Sequence, residues 1–252
     1  VLEKTVHGFF PAAQFEPIED YNIFNPQGAI AGSYLLISKS YFLPIKTYQN
    51  LEIDPLNNMA NALSKLEAEG EGAAFQILIK PAPRGWARTG LRIAKLMQEE
   101  GKSFNAAKKE ATGFGQITKS LKSKKPKTET PAFAPAKQLT PLQQEMIKAV
   151  ENKASKIGFE VNVRLLASGP TKQRAEQILS HLENSFGQFS GPNLNNFKPI
   201  RLSGNGLKRL IYYFSFRLFN SAQKILLNNE ELTSIYHLPT SGLAAPRIKF
   251  LK

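Results

Sequence analysis

A stretch of 39 residues without apolar periodicity divides this chain into two segments that can fold. Residues 101–139 contain nine lysines and only two acidic residues, and prolines interrupt their second half. A segment of this composition repels itself, so it is predicted to be a flexible linker. The segments on either side are each long enough for a small domain.

Composition limits the classes of protein to which the chain can belong. Apolar residues make up 42% of its 252 residues, which is enough for a core and excludes wholesale disorder. The absence of cysteine excludes disulfide scaffolds, thiolate catalysis and cysteine zinc sites. The longest apolar runs, such as Leu210–Phe216, are too short to span a bilayer, and no signal-peptide pattern is visible.

The positive charge is concentrated in two parts of the chain. The formal net charge of +13 indicates an anionic partner, such as nucleic acid or a membrane surface. Residues 1–100 have a net charge of −2, whereas residues 101–139 contribute +7 and residues 200–252 contribute +6. The linker lysines either hold phosphate without sequence preference or only keep a tether solvated. These lysines are Lys119, Lys122, Lys124, Lys125 and Lys127.

The second half of the chain has the pattern of a ferredoxin-like fold. A capping box at Thr140–Gln143, with proline at the first helical position, predicts a helix over 140–157. Beyond it, alternation and helical periodicity predict strand, helix, two strands, helix and strand, which is the split βαβ order. These elements are a strand at 159–165, a helix at 171–186, strands at 196–202 and 209–219 joined by a hairpin at 203–206, a helix at 228–238 and a strand at 247–251.

The first half shows the same order without its first strand. The elements predicted here are a helix at 1–10, strands at 13–21 and 30–48, a helix at 55–69, a strand at 73–80 and a helix at 87–100. The missing strand would precede Val1, which indicates a piece of a longer protein. We therefore expect an α+β fold of two tandem ferredoxin-like subdomains, the first lacking its initial strand. The expected domains are residues 1–100, the linker 101–139, and residues 140–252.

No catalytic constellation is visible in the sequence. A phosphate-binding loop needs glycine five positions before Gly101-Lys102-Ser103, but Leu96 stands there and the triplet follows a helix. The three histidines are well separated, so a histidine metal cluster is not indicated. We therefore expect a chain that is not an enzyme and that has neither a cofactor nor a metal.

The strand predicted over 209–219 is the best candidate for binding. Its aromatic residues belong either to the core and a partner-packing surface or to a face on which single-stranded bases stack. Tyr213 and Arg217 would share one face of that strand. The residues that we expect to contact nucleic acid, besides the linker lysines, are Arg201, Lys208, Arg209, Tyr213 and Arg217.

Several segments together resemble a known family. They are Tyr41-Phe-Leu-Pro-Ile-Lys-Thr-Tyr48, Glu52-Ile-Asp-Pro-Leu56, Glu71-Gly-Ala-Ala-Phe-Gln-Ile-Leu-Ile-Lys-Pro81 with Trp86, and the closing stretches 227–240 and 246–251. In these segments the chain resembles the N-terminal, non-ATPase region of conjugative-transfer and type IV secretion-like ATPases. These ATPases are related to HerA and FtsK and are associated with small-genomed uncultivated bacteria. The resemblance covers nearly the whole chain, and its motifs are structural rather than catalytic.

The resemblance implies a non-catalytic assembly or docking module of a DNA- or protein-translocating ATPase. The implied partners are the protein's own ATPase core, neighbouring subunits in a homo-oligomer, and membrane or channel components. The implied location is the cytoplasm, at the inner face of the membrane. The alternative is a nucleic-acid-binding module that uses the basic linker and the basic C-terminal half to bind DNA.

Overall fold

The computed structural model describes residues 2–11, 22–67, 70–113 and 139–237. The helices in these ranges are α1 (Leu2–Phe9), α2 (Pro55–Ser64), α3 (Trp86–Glu100), α4 (Phe104–Ala111), α5 (Pro141–Ala154), α6 (Lys172–Ser185), α7 (Gly204–Ser215) and α8 (Asn229–Ile235). The strands are β1 (Ala29–Ile37), β2 (Gly72–Pro81), β3 (Gly158–Gly169), β4 (Phe197–Leu202) and β5 (Ile225–Asn228). No helix in the described ranges has both the length and the apolar composition to cross a bilayer.

The five strands form one antiparallel sheet. Its order is β2-β3-β1-β4, and β5 pairs with the beginning of β3. β1 pairs with the second half of β3, where Ala31 lies opposite Ala167. β2 pairs with β3 along its whole length, with Phe75 opposite Leu165. β1 and β5 therefore border the same side of β3, one after the other.

The connectivity is that of one split βαβ unit. β3 lies between the strands of the β1-α2-β2 segment, and β1 lies between the strands of the β3-α6-β4 segment. The α+β class is therefore as predicted, but the arrangement of two tandem ferredoxin-like subdomains is not confirmed. The predicted domain boundaries at 100 and 140 stay a prediction, and strands from both sides of them pair in this sheet.

One face of the sheet carries the main apolar core. Alternate residues of β3 point to this face, and Val161, Val163 and Leu165 are fully buried there. Helices α2 and α6 cover them with side chains such as Met59 and Leu179. At about 25 cal/mol per Å² of buried apolar surface, this cluster is the main source of stability in the described residues.

The opposite face of the sheet is polar along its centre. Glu160, Asn162 and Arg164 alternate with the core residues of β3, and all three are buried. α7 packs over part of this face and approaches β1 closely at Gly32. A Cβ there would lie 2.7–3.0 Å from the terminal methyl groups of Leu166, Leu207 and Leu210, so a larger residue would require these side chains to shift.

Helices α3, α4 and α5 form an insertion between β2 and β3 with a core of its own. Ile93 and Met97 of α3 pack with Ala107 of α4 and Val150 of α5. Phe42, from the segment after β1, completes this second cluster.

A buried ion pair joins the insertion to the end of the sheet. Lys153 of α5 and Glu231 of α8 are almost completely buried, and the Lys153 ammonium lies 3.0 Å from the carboxylate. The carboxylate also accepts hydrogen bonds from the backbone N–H groups of Ile45 and Asn228, each at 2.8 Å. Desolvation lowers the pKa of Lys153, and the charge of Glu231 opposes this shift.

Most local predictions are confirmed. α2 begins at Pro55 as predicted, because the Asp54 carboxylate accepts a hydrogen bond from the N–H of Leu56 at 2.8 Å. The capping box at Thr140 and Gln143 is present. The strand predicted at 73–80 and the helix predicted at 87–100 match β2 and α3 within a residue.

The strand predicted at 209–219 and the hairpin predicted at 203–206 are wrong, because residues 204–215 form α7. The aromatic content of this segment favours a strand. However, Leu207, Leu210 and Phe214 also repeat at helical spacing, and packing on the polar sheet face decides in favour of the helix.

Three further predictions need correction. The strand predicted over 30–48 ends at Ile37, because the following segment turns around Asn195, whose side-chain amide donates to the carbonyl of Ser40 at 2.8 Å. Residues 104–111 of the predicted flexible linker form α4, which the Ser103 hydroxyl caps. The helix predicted over 55–69 ends at Ser64, and Lys65 is its C-cap. β5 was not predicted. The strands predicted at 13–21 and 247–251 lie outside the described residues.

Replacing Lys153 tests how much the buried pair stabilises the fold. Lys153→Met leaves the Glu231 carboxylate buried without its cation. We expect the free energy of unfolding to fall by about 3–5 kcal/mol, the usual cost of removing one partner of a buried pair. Lys148→Met, at an exposed position of the same helix, is the control and should change it by less than about 0.5 kcal/mol. Urea unfolding followed by circular dichroism measures both.

The double variant Lys153→Met/Glu231→Gln leaves no buried charge at this place. Its free energy of unfolding should therefore fall by less than the sum of the decreases in the two single variants. If Lys153→Met unfolded at the same urea concentration as Lys148→Met, the pair would not hold the insertion to the sheet.

Candidate nucleic-acid interface

The residues that the sequence singled out do not form one surface. Arg201 of β4 points to the apolar side of the sheet, where its Nε lies 3.0 Å from an oxygen of Glu183 and its Nη2 donates to the Ser180 hydroxyl at 2.8 Å. Its charge is therefore balanced by α6, away from α7. The five linker lysines, from Lys119 to Lys127, lie outside the described residues.

The exposed side of α7 is basic and aromatic. Lys208 and Arg209 are exposed, and neither has an ion-pair partner among the described residues. One turn further on, Tyr212 and Phe216 are 54% and 63% exposed, with ring centroids 4.8 Å apart. α7 contains no acidic residue. These four residues are called the α7 face below.

The C-terminal end of α7 is held by a buried arginine. Arg164 of β3 donates from Nη1 to the carbonyl of Tyr213 at 2.9 Å, and from Nη2 to the carbonyl of Leu218. Its other partners are the side-chain oxygens of Gln76 and Asn162, at 2.9 and 3.3 Å. Since a helix has partial negative charge at its C-terminal end, this cation stabilises α7 where it meets the sheet.

Arg164 has no carboxylate partner among the described residues, and its Nε is buried without a hydrogen bond. Desolvation lowers its pKa, and the interaction with Tyr213 opposes this shift. An arginine nevertheless stays charged in a protein. The ring of Tyr213 lies 5.5 Å from the guanidinium carbon, so this tyrosine contacts Arg164. It is half-buried and does not belong to the α7 face.

Arg217 closes the helix in an unusual backbone conformation. Its φ of 52° is left-handed, and it is the only described residue other than glycine with a positive φ. The N–H of Leu218 donates to the carbonyl of Tyr213 at 2.9 Å, and that of Arg217 to the carbonyl of Phe214 at 3.1 Å. These two bonds define a Schellman motif, in which glycine normally occupies the position of Arg217.

Sequence reasoning missed Tyr212 and Phe216 because it assigned a strand here. The spacing of four residues from Lys208 to Tyr212 and on to Phe216 is the signal that could have identified one helical face. A second basic row was also missed. Arg84 precedes α3, and Arg88, Arg92 and Lys95 follow along it at helical spacing, all of them exposed.

The described residues contain no group of three or more histidine or acidic side chains that could hold a metal ion. Their buried charged groups are held by oppositely charged side chains or by backbone carbonyls, as in the pair Lys153–Glu231 and at Arg164. What the α7 face offers chemically is binding rather than bond making: two aromatic rings for stacking and two cations for phosphate.

Arg217→Gly should stabilise the protein. Glycine adopts a left-handed conformation without steric cost, so we expect the free energy of unfolding to rise by roughly 0.5–1 kcal/mol. Arg217→Ala keeps the backbone strain and serves as the control, with no gain expected. Urea unfolding measures both variants, and equal effects of glycine and alanine would show that the backbone conformation is not the cause.

Comparisons with known proteins identify a family but not an activity. No curated protein and no solved structure matches the chain. The model of one family, a domain of unknown function designated DUF8128, matches residues 1–249. The chain therefore belongs to the DUF8128 family.

Proposed function

We propose that this domain is a non-catalytic accessory module of a translocating ATPase and that it binds single-stranded nucleic acid through the α7 face. The observation that carries the binding proposal is the exposed pair of rings, Tyr212 and Phe216, next to two cations that have no ion-pair partner in the described part of the chain. Bases stack on exposed aromatic side chains, and nearby cations contact the phosphates, so this combination suits single strands.

The packing of α7 supports this proposal. Its inner side chains are held by Leu166 and Gly32, and its end is fixed by Arg164. Tyr212 is therefore presented on a supported helix and Phe216 at its C-cap, which lowers the entropy lost on binding. A basic, partly apolar helix face also suits an anionic membrane surface, and the experiment below separates the two.

The wider role as an assembly or docking module rests on the resemblance to conjugative-transfer and type IV secretion-like ATPases. In that role the domain would act on the cytoplasmic side of the membrane, and its partners would be an ATPase core, neighbouring subunits in a homo-oligomer, and membrane or channel components. The arrangement as two tandem ferredoxin-like subdomains is not part of this proposal, because β1 and β2 both pair with β3 in one sheet and residues 209–215 of a strand that it requires are helical.

Fluorescence anisotropy with a labelled oligothymidine of about 15 nucleotides tests the binding proposal. Binding at low salt should weaken steeply as salt rises, because phosphate contacts release counterions. Tyr212→Ala/Phe216→Ala should weaken binding at least tenfold, since each stacked base contributes about 1–3 kcal/mol. Lys208→Ala/Arg209→Ala should reduce the slope of log K against log salt by about 1.4, at 0.7 per lost contact.

The control is Lys109→Ala/Lys148→Ala, which removes the same charge from exposed positions of α4 and α5. We expect it to leave the affinity within twofold. No binding at low salt, or equal losses in the control and the α7 variants, would overturn the proposal. Stronger binding to anionic vesicles than to DNA, with the same dependence on Tyr212 and Phe216, would assign the α7 face to a membrane instead.

A separate binding experiment tests the linker lysines. Replacing all five, from Lys119 to Lys127, by glutamine measures their contribution to the salt dependence while the α7 face is kept. If they contact phosphate, the slope should fall further. An unchanged slope would leave the linker as a solvated tether.

The docking proposal is tested by sedimentation velocity. The chain is co-expressed with an ATPase core of the family that it resembles, and the core is also expressed alone. We expect the core to sediment as a larger assembly when the domain is present, because the domain would join neighbouring subunits. The same sedimentation coefficient with and without the domain would contradict a role in assembly.

A further inference from the structure

A basic cleft of about 790 Å³ opens beside the end of the sheet. It lies where β1 stops and β5 begins, so Leu36 and Ile225 line it from the two strands. Trp86 at the start of α3 and Lys108 of α4 line it from the insertion. The cleft shares no lining residue with α7, and its volume is in the range of small-molecule sites.

Glu160 is the buried acid of this cleft. It is 4% exposed and lies between two lysines, with its Oε2 2.9 Å from the ammonium of Lys80 and its Oε1 in contact with that of Lys224. Burial pushes its pKa upward, but the hydrogen bonds from Lys224 and Lys80 hold the pKa below its usual value. The carboxylate is therefore ionised at neutral pH, and the three groups keep one net positive charge.

Both lysine side chains remain 44% exposed. An ammonium has three N–H donors, so Lys224, which lines the cleft, retains donors for an anion after binding Glu160.

Two further lysines line the cleft. Lys108 is half-buried and has no ion-pair partner among the described residues. Lys39 lines the edge of the cleft, and its ammonium donates to the carbonyls of Pro192 and Leu194, outside the lining, at 3.1 and 2.7 Å. The Ser40 hydroxyl, on a lining residue, is buried without a hydrogen-bond partner. A bound anion would satisfy the cations and could accept a hydrogen bond from this hydroxyl.

The remaining lining is apolar and aromatic. Trp86 is seated against Gly158, where a Cβ would lie 2.4 Å from three atoms of the indole. Tyr41 is 41% exposed and packs on Phe42, with ring centroids 4.3 Å apart. Together with Leu226 they offer a surface for a planar apolar body next to the lysines. Lysine and aromatic groups in one cleft favour a ligand that carries both an anionic group and an aromatic ring.

We propose that this cleft binds an aromatic phosphate monoester of the nucleotide class, with its phosphate at Lys108 and Lys224 and its ring at Trp86. The cleft is separate from the α7 face, so this inference does not depend on the proposed function. The same chemistry occurs in a free mononucleotide and in the phosphorylated end of a strand.

Titration of the protein with adenosine 5′-monophosphate tests the inference, with Trp86 as the reporter because it is the only tryptophan. We expect a saturable fluorescence change with a dissociation constant below about 1 mM. Adenosine and inorganic phosphate, titrated separately, should each bind at least tenfold more weakly, because each lacks one half of the recognised chemistry. Isothermal titration calorimetry provides a second readout that does not depend on tryptophan.

Lys108→Ala and Lys109→Ala form a matched pair of neighbouring lysines on α4, of which only Lys108 lines the cleft. We expect the first to weaken binding about tenfold, through the loss of one charge-assisted hydrogen bond, and the second to leave it within twofold. Tyr212→Ala/Phe216→Ala should leave it unchanged, which separates this site from the α7 face.

A 5′-phosphorylated oligothymidine, compared with the same strand without its phosphate, distinguishes the two sources of the ligand. These strands are titrated into the Tyr212→Ala/Phe216→Ala variant so that the α7 face does not contribute. Saturable binding of the phosphorylated strand alone, with dependence on Lys108, would assign the cleft to a strand end. Three results would overturn the proposal. Adenosine could bind as tightly as its monophosphate, the two lysine variants could have equal effects, or neither adenosine 5′-monophosphate nor the phosphorylated strand could bind.

Discussion

The ion pair between Lys153 and Glu231 connects parts of the chain that the fold must bring together. The Glu231 carboxylate contacts the insertion through Lys153, the segment after β1 through the N–H of Ile45, and the end of β5 through the N–H of Asn228. Lys153 also donates to the carbonyl of Leu226 at 3.1 Å. Since a buried charge without its partner is costly, the insertion cannot leave the sheet without exposing or isolating one of these ions. The position of α3 and α4, and with it the wall of the basic cleft, depends on this contact.

The two faces of the sheet explain why the surfaces of interest lie where they do. The face under α2 and α6 is apolar and closed. The other face places Glu160 and Arg164 at two points of β3, and each of them organises its surroundings differently. Arg164 has no carboxylate partner in the described part of the chain, so helix carbonyls balance it and α7 is held at that end. Glu160 is balanced by two lysines that stay accessible, so its surroundings remain open as a cleft.

The sequence correctly predicted those elements whose boundaries are set by residues a few positions away. Asp54 before Pro55 and the capping box at Thr140 are contained within a few residues, and both helices begin where these residues place them. The strand at β2 was equally clear from its alternation. In contrast, α7 has the composition of a strand, and its helical spacing became decisive only with the packing on Gly32 and the cation of Arg164. These partners lie far away in the sequence, so composition could not reveal them. The ring pair Tyr212–Phe216 was missed because the segment was assigned as a strand.

The distribution of paired charges determines the sign of the electrostatic potential at the surface. Five glutamates have side chains that are at most 10% exposed, and each binds a lysine or arginine: Glu71, Glu160, Glu183, Glu230 and Glu231. Their negative charge is used inside the fold, where it fixes α6, α8 and the ends of the sheet. Most of their cationic partners stay partly exposed, and the rows on α3 and α7 have almost no acidic neighbours. A polyanion approaching these paired sites therefore meets cations whose counter-charges lie beneath them. At α7, which contains no acidic residue, and at the cleft, where Glu160 is buried between two lysines, the field is consequently more positive than the net charge of +13 indicates.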